Sequence, residues 1–223
     1  MVERFLKQTH FESVEDYNKH LEFIIPENFN FAYDVMDAWA EEKPDGLALL
    51  WTNDEGAEIR TTFRELKEQT DQAASYLQTL GIGKGDPVML ILKRRYEWWV
   101  VMLALHKLGA VVIPATHMLT KHDIVYRNTR ASVKAIICVD DNYVVSQIEA
   151  ALNESPTVKV LVKVSERPQQ NSDALGIGWP TPVGARPSGE SSTDSGLPVP
   201  RCLCSTMRNS MPTRCCGRLR NTT

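Results

Sequence analysis

The chain has 223 residues, 43% hydrophobic and 24% charged, with a formal net charge of −3. That balance is ordinary for a globular protein and excludes a collagen, a coiled coil and a wholly disordered chain. The longest apolar run, Trp98 to Leu105, is 8 residues, against the roughly 20 that a bilayer-crossing helix needs.

Val14 to Phe23 is a polar, amphipathic opening. Phe31 to Glu42 then places Phe31, Val35, Met36 and Trp39 at helical spacing, and Lys43-Pro44-Asp45-Gly46 stops that helix. Leu47 to Trp51 and Ala57 to Thr62 read as short strands around the turn-prone Thr52-Asn53-Asp54-Glu55-Gly56. From Phe63 the helical period returns. Phe63, Leu66, Thr70, Ala73, Ala74, Leu77 and Leu80 share one face, and Gly81 suits a left-handed cap.

Strands and helices then alternate. Pro87 to Leu92 is almost wholly apolar, as a strand covered on both faces should be. Glu97 to Leu108 predicts a helix apolar nearly all round, and so a buried one. Ala110 to Pro114 is a strand, Lys121 to Arg130 a polar helix, and Val133 to Val139 a third apolar strand. Asn142 to Leu152 is helical and Val158 to Val164 a fourth strand. The expected fold class is therefore α/β, with alternating βαβ units, a parallel sheet and right-handed crossovers.

Composition changes abruptly after Val164. Up to that residue there are 11 Lys, 7 Arg and 24 acidic residues; beyond it there are 7 Arg and 4 acidic residues, with no Lys, Phe, Tyr or His. The tail also holds four of the five cysteines and 7 of the 12 prolines. Three segments follow: an N-terminal extension over 1–25, a body over 26–164, and a tail over 165–223. The tail is expected to be disordered, because it has few large apolar residues to offset ordering entropy. Arg, Pro, Gly, Ser and Cys rising together as Lys vanishes is the signature of a GC-rich coding sequence read out of frame. An alternative exon and a diverged linker are the competing accounts.

Several local patterns resemble chemistry. Gly81-Ile82-Gly83-Lys84-Gly85-Asp86 suggests a phosphate loop. However, its glycines follow a helix and open a strand, and a Rossmann fingerprint has glycine where Asp86 stands. A helix-to-strand turn is the expected reading. Lys93-Arg94-Arg95, between a strand and a helix, is either a solvated loop or a cationic edge facing an anionic ligand. The body's negative charge argues against nucleic acid. His117 and His122 lack a carboxylate at metalloprotease spacing, and Cys202-x-Cys204 and Cys215-Cys216 lack CxxC spacing. Asn153-Glu154-Ser155 fits a glycosylation acceptor, which has meaning only for a secreted chain. Met-Val-Glu-Arg-Phe-Leu-Lys has no apolar stretch of a signal peptide, so a cytoplasmic location is expected.

Thr61-Thr62-Phe63-Arg64-Glu65-Leu66, Gly81 to Val88, and Leu105-His106-Lys107-Leu108-Gly109-Ala110-Val111-Val112-Ile113-Pro114 stand in an order and spacing that resembles the adenylate-forming enzymes. Pro114-Ala115-Thr116-His117-Met118-Leu119 and Asp123-Ile124-Val125-Tyr126-Arg127 resemble the medium-chain acyl-CoA synthetase branch most. The resemblance spans Pro26 to Val164 and implies the first subdomain of such an enzyme. It implies a two-step reaction: ATP and a carboxylate give an acyl-adenylate and pyrophosphate, and the CoA thiol then displaces AMP. ATP, Mg²⁺ and CoA would serve the complete enzyme, with a small carboxylic acid as substrate.

The triphosphate loop, the adenine and ribose motifs, the hinge and a late lysine have no counterparts here, so none of these cofactors is expected to bind this chain tightly. Ser191-Ser192-Thr193-Asp194-Ser195-Gly196-Leu197-Pro198-Val199 imitates the loop. Asp194, though, would set a carboxylate against a triphosphate, and Thr193 replaces a glycine. No residue is assigned acid–base or nucleophilic catalysis. Thr116, His117 and Met118 resemble the family segment beside the CoA channel, and are the candidate binding edge, with a packed strand-exit loop as the plain alternative. A non-catalytic interaction module is the second functional reading. Neither nucleic acid nor a membrane span is expected, and no oligomeric state can be read.

Overall fold

Strands apolar on both faces require two helical layers, and the body supplies them. The computed structural model describes residues 2–164. The tail, with its loop imitation and its cysteines, lies outside the described residues. A short helix, α1 (Val14–His20), follows a 3₁₀ turn at Val2–Arg4, its N-terminus capped by Ser13. A hairpin of β1 (Leu47–Thr52) and β2 (Glu58–Thr62) forms its own antiparallel pair. The main sheet holds β3 (Pro87–Ile91), β4 (Val111–Pro114), β5 (Ala135–Val139) and β6 (Val160–Val164), all parallel, in the order β4-β3-β5-β6.

Helices α3 (Phe63–Thr79) and α4 (Glu97–Leu108) cover one face, where Val88, Leu90, Ala135 and Ile137 meet Leu77, Val100 and Leu105. Helices α5 (Lys121–Ala131) and α6 (Asn142–Leu152) cover the other, where Met89, Ile91, Ile136 and Cys138 meet Ile124 and Ile148. The alternation of neighbouring residues between clusters is the two-residue period of a strand. The β3-to-β4 connection runs one way along the sheet with α4 on one face. The next two run the other way with α5 and α6 on the opposite face, as a single crossover hand demands.

One expectation needs correction. The segment Phe31 to Glu42 is not one regular helix: Ala32–Asp37 is a π-helical stretch, followed by α2 (Ala38–Glu42). The wider turn rotates the buried side, so that Ala32, Asp37, Ala38 and Ala40 are buried. Val35, Met36 and Trp39 are only half-buried, and Phe31 is exposed. Helix α3 also buries Gln69, which the apolar pattern passes over, and neither atom of its amide group has a hydrogen-bond partner.

The glycine-rich turn behaves as a turn. It leaves α3 and enters β3, with Gly81 at φ +78° and Gly85 at φ +82°. The Lys134 ammonium donates to the Gly81 carbonyl and to the Asp86 carboxylate, each at 2.7 Å. Asp86 also accepts from the Gly83 amide at 2.8 Å. The anion in this loop is the protein's own, and hydrogen bonding to Lys134 holds the Asp86 carboxyl below its ordinary pKa.

Candidate functional site

In an open parallel sheet a ligand is expected beyond the carboxyl ends, where connections from adjacent strands diverge. Here that point lies between β3 and β5, and it is closed. Lys93, just after β3, donates to Asp141, just after β5, at 2.8 Å. Asp141 also caps α6 by accepting from the Tyr143 and Val144 amides. The Lys93 hydrogen bond, reinforced by these amides, lowers the Asp141 pKa. Lys93 adopts φ +52°, a left-handed conformation that a residue with a Cβ rarely enters. The chain turns sharply there, and the ion pair faces the crevice.

The open space is displaced to the other side of β3. A groove of about 590 Å³ runs between the loop after β3, the loop after β4 and the tip of the β1–β2 hairpin. Lys93, Arg94 and Arg95 form one wall, Thr116 and His117 the second, and Trp51, Asn53 and Asp54 the third, with Trp98 beside them. Of the three residues of the expected binding edge, the structure brings Thr116 and His117 to the groove. Met118 is outside its lining and 68% exposed. The Met118 amide donates to the Thr116 hydroxyl at 3.3 Å, closing a short turn over the strand exit.

The three cations are not equivalent. Lys93 is committed to Asp141. Arg95 is mostly buried and paired with Glu97 through two hydrogen bonds, at 3.1 and 2.5 Å. Arg94 is exposed, and its guanidinium has no ion-pair partner among the described residues. The Arg94 carbonyl, in contrast, accepts from the Trp51 indole N–H at 2.6 Å, which ties the hairpin to the loop. Trp51 also meets Tyr96 edge to face, with ring centroids 6.3 Å apart. The Tyr96 side chain does not cap the N-terminus of α4, which starts just beyond these cations and carries Glu97 in its first turn.

Sequence reasoning missed the hairpin's part in this groove, because Trp51 and Lys93 are far apart in the chain. An available signal was Trp51 itself: an indole at the end of a short strand needs a partner for its N–H.

A second charged cluster is structural. The Lys107 ammonium, its side chain 1% exposed, sits 2.9 Å from Asp37 and 2.6 Å from Asp71. Lys67 pairs with Asp71 at 2.7 Å and lies 3.6 Å from Asp37. Tyr33 presents its ring to Lys107 at 5.5 Å. Burial pushes the Asp71 carboxyl up, but the hydrogen bonds from Lys107 and Lys67 outweigh it and leave the pKa lowered. This quartet joins the π-helical stretch to α3 and α4. The single described cysteine, Cys138, is buried under α6, and burial pushes its thiol up to about 12, so it is no nucleophile. Among the described residues, no group of three His, Cys, Asp or Glu could hold a metal ion, and no helix is long and apolar enough to cross a membrane.

Comparison with known proteins agrees with this architecture. Residues 36–193 match the family described as AMP-binding enzyme, a match that runs past Val164. The human mitochondrial acyl-coenzyme A synthetase ACSM2A is 36% identical over 149 residues, 64% of this chain and 26% of the relative. Human mitochondrial acyl-coenzyme A synthetase ACSM5 is 39% identical over 153 residues, 65% of this chain and 26% of the relative. The chain thus spans about a quarter of the length of these relatives. The crystal structure of the anthranilate CoA ligase AuaEII in complex with anthranoyl-AMP is similar in fold. Its TM-score is 0.57 at 23% identity, covering 66% of this chain and 27% of that one.

Proposed function

The chain belongs to the AMP-binding enzyme family, and from that premise we propose that it is the opening part of the large domain of an AMP-forming acyl-CoA synthetase of the medium-chain type. The complete enzyme would activate a carboxylic acid with ATP and Mg²⁺ to an acyl-adenylate, and pass the acyl group to CoA. This chain's share of that work is the CoA-side edge, Thr116, His117 and Met118. The observation that supports the reading is the groove at the carboxyl edge of a parallel sheet, whose lining brings Thr116 and His117 together with Arg94, which has no ion-pair partner among the described residues.

The described residues do not fit ATP. Their one glycine-rich turn is filled by Asp86 and Lys134, and no carboxylate cluster suits a magnesium ion. No adenylation step is therefore assigned to them, and the chain alone is catalytically incompetent in this reading. CoA fits better, because the groove offers a cation, hydrogen-bonding groups and aromatic walls at once. Thr116 and His117 would orient the ligand, and Trp98 would shield it from water. The segment boundaries, 26–164 for the partial domain and 165–223 for the tail, are part of the proposal, as is a cytoplasmic location beside relatives named as mitochondrial.

The test is pyrophosphate release by the purified chain with ATP, Mg²⁺ and a series of fatty acids. No release above a protein-free blank is expected, while joining residues 1–164 to the remainder of a relative should restore it. Release by the chain alone would overturn the incompetence. A fold-competent hybrid that stays inactive would favour the interaction-module reading.

A further inference from the structure

We propose that the open edge of β6 is a self-pairing surface, on which a second copy of this chain docks antiparallel across a two-fold axis at Val162. The two four-stranded sheets would join into one, with the two β6 strands at its centre. No residue of β6 lines the groove, so the CoA reading has no part in it.

The phase of the backbone hydrogen bonds carries it. Along a strand, a residue that bonds one neighbour turns both its amide and its carbonyl to that side, and the next residue turns both to the other. The Val160 amide donates to the Lys134 carbonyl at 3.3 Å, and the Asp140 amide donates to the Val164 carbonyl at 2.9 Å. Val160, Val162 and Val164 therefore bond to β5, while Leu161 and Lys163 turn their backbone groups to the open edge. No strand lies beyond β6 among the described residues. The opposite edge is poorer. Val111 donates to the Asp86 carbonyl and Ala115 to the Leu90 carbonyl, each at 2.9 Å, so Val112 and Pro114 face outward from β4. Proline has no amide to give.

A second β6 fits this phase. Turned about Val162, Leu161 of each chain lies opposite Lys163 of the other. Both residues face outward, so each such pair exchanges two hydrogen bonds, as the hydrogen-bonded pairs of an antiparallel ladder do. The same patch serves both partners, and such a contact closes at two chains. The side chains leave the edge clear. Val162 and Val164 are buried in the core, and the Lys163 ammonium is drawn to Glu149 at 2.9 Å, so no free charge guards the strand.

Analytical ultracentrifugation of the full 223-residue chain across a wide concentration range, paired with amide hydrogen exchange, tests this. The mass is expected to rise to twice that of the monomer and stop there. The Leu161 and Lys163 amides should become protected in step with that rise, while the Val160, Val162 and Val164 amides are protected at every concentration. Leu161→Pro removes an outward amide and no bond to β5. It should weaken dimerisation by about tenfold or more, because it deletes half of the bonds between the chains, with the far-ultraviolet circular dichroism unchanged. Val112→Pro, the matching change on β4, should leave the dimer intact. If Leu161→Pro does not fold, exchange on the unaltered chain decides alone. A monomer at every concentration, or growth past the dimer, overturns the proposal. So do Leu161 and Lys163 amides already protected in the dilute monomer, which would mean that the chain covers its own edge.

Discussion

A buried ammonium is costly unless oppositely charged groups surround it, and Lys107 shows the arrangement at the scale of single residues. Its side chain is almost fully enclosed, with Asp37 and Asp71 both within hydrogen-bond distance. Removing one carboxylate leaves a charge with half its compensation. Asp37→Asn is expected to destabilise the fold by about 3 kcal/mol, as loss of one partner of a buried pair commonly does; urea unfolding followed by circular dichroism checks it. The quartet also has a pH signature. The folded pKa of Asp71 is lowered, so its contribution is complete above the ordinary carboxylate value, near pH 4, and is lost as pH falls further through the folded value. Lys67 is raised, its hydrogen bond to Asp71 overcoming burial. Its contribution holds below about pH 10.4 and fades as pH rises through the higher folded value. Stability should be insensitive to this quartet between those limits, and Asp71→Asn should flatten the acid limb of the stability profile. An unchanged acid limb would contradict the pairing.

At the scale of elements, local signals decide where helices begin. Thr62 accepts from the Glu65 amide at 3.3 Å while Glu65 reaches back to the Thr62 amide at 2.8 Å, a closed capping box at the start of α3. Thr120 and Asp123 repeat the device on α5. Thr62→Ala should cost about 1 kcal/mol, measured by the same unfolding curve, with Thr62→Ser close to neutral. Thr62 lies in the stretch that resembles the family signature, so this substitution separates a capping role from a chemical one. The sheet's two edges differ in protection. Strand β4 is four residues long and ends on Pro114. Strand β6, Val-Leu-Val-Lys-Val, lacks proline, and its one charge, Lys163, is engaged with Glu149 at 2.9 Å. An edge without a free charge or a proline invites pairing with other chains. Light scattering of the purified chain should rise steeply with concentration; a monodisperse monomer with one cooperative unfolding transition would instead mark a self-sufficient module.

At the scale of the whole molecule, the chain spans about a quarter of its relatives and changes composition after Val164. The out-of-frame account of the tail makes a prediction that needs no protein. Translating the nucleotides after the Val164 codon in the other two forward frames should reveal a strand followed by [ST]-S-G-[ST]-T-G-x-P-K. If neither frame holds it, the account fails and a true exon or linker replaces it. The family match that continues to residue 193 covers the segment in question and counts against an out-of-frame origin for residues 165–193.

Much of this fold was legible in one dimension. Apolar runs such as Pro87 to Leu92 and Val133 to Val139, separated by helical periods, specified a parallel α/β sheet from the sequence alone, because burial on both faces leaves its mark on the residues of a strand. Gly81 marked a helix end, because caps act within a few residues. What the sequence could not announce were the features made by distant segments: the π-helical turn that swings Asp37 onto Lys107, the buried Gln69, and the Lys93–Asp141 bridge across the expected crevice. The same holds for Trp51 on the Arg94 carbonyl, and for the groove that results. Each depends on which side chains tertiary packing brings within a few ångströms, and short-range periodicity holds no record of that distance.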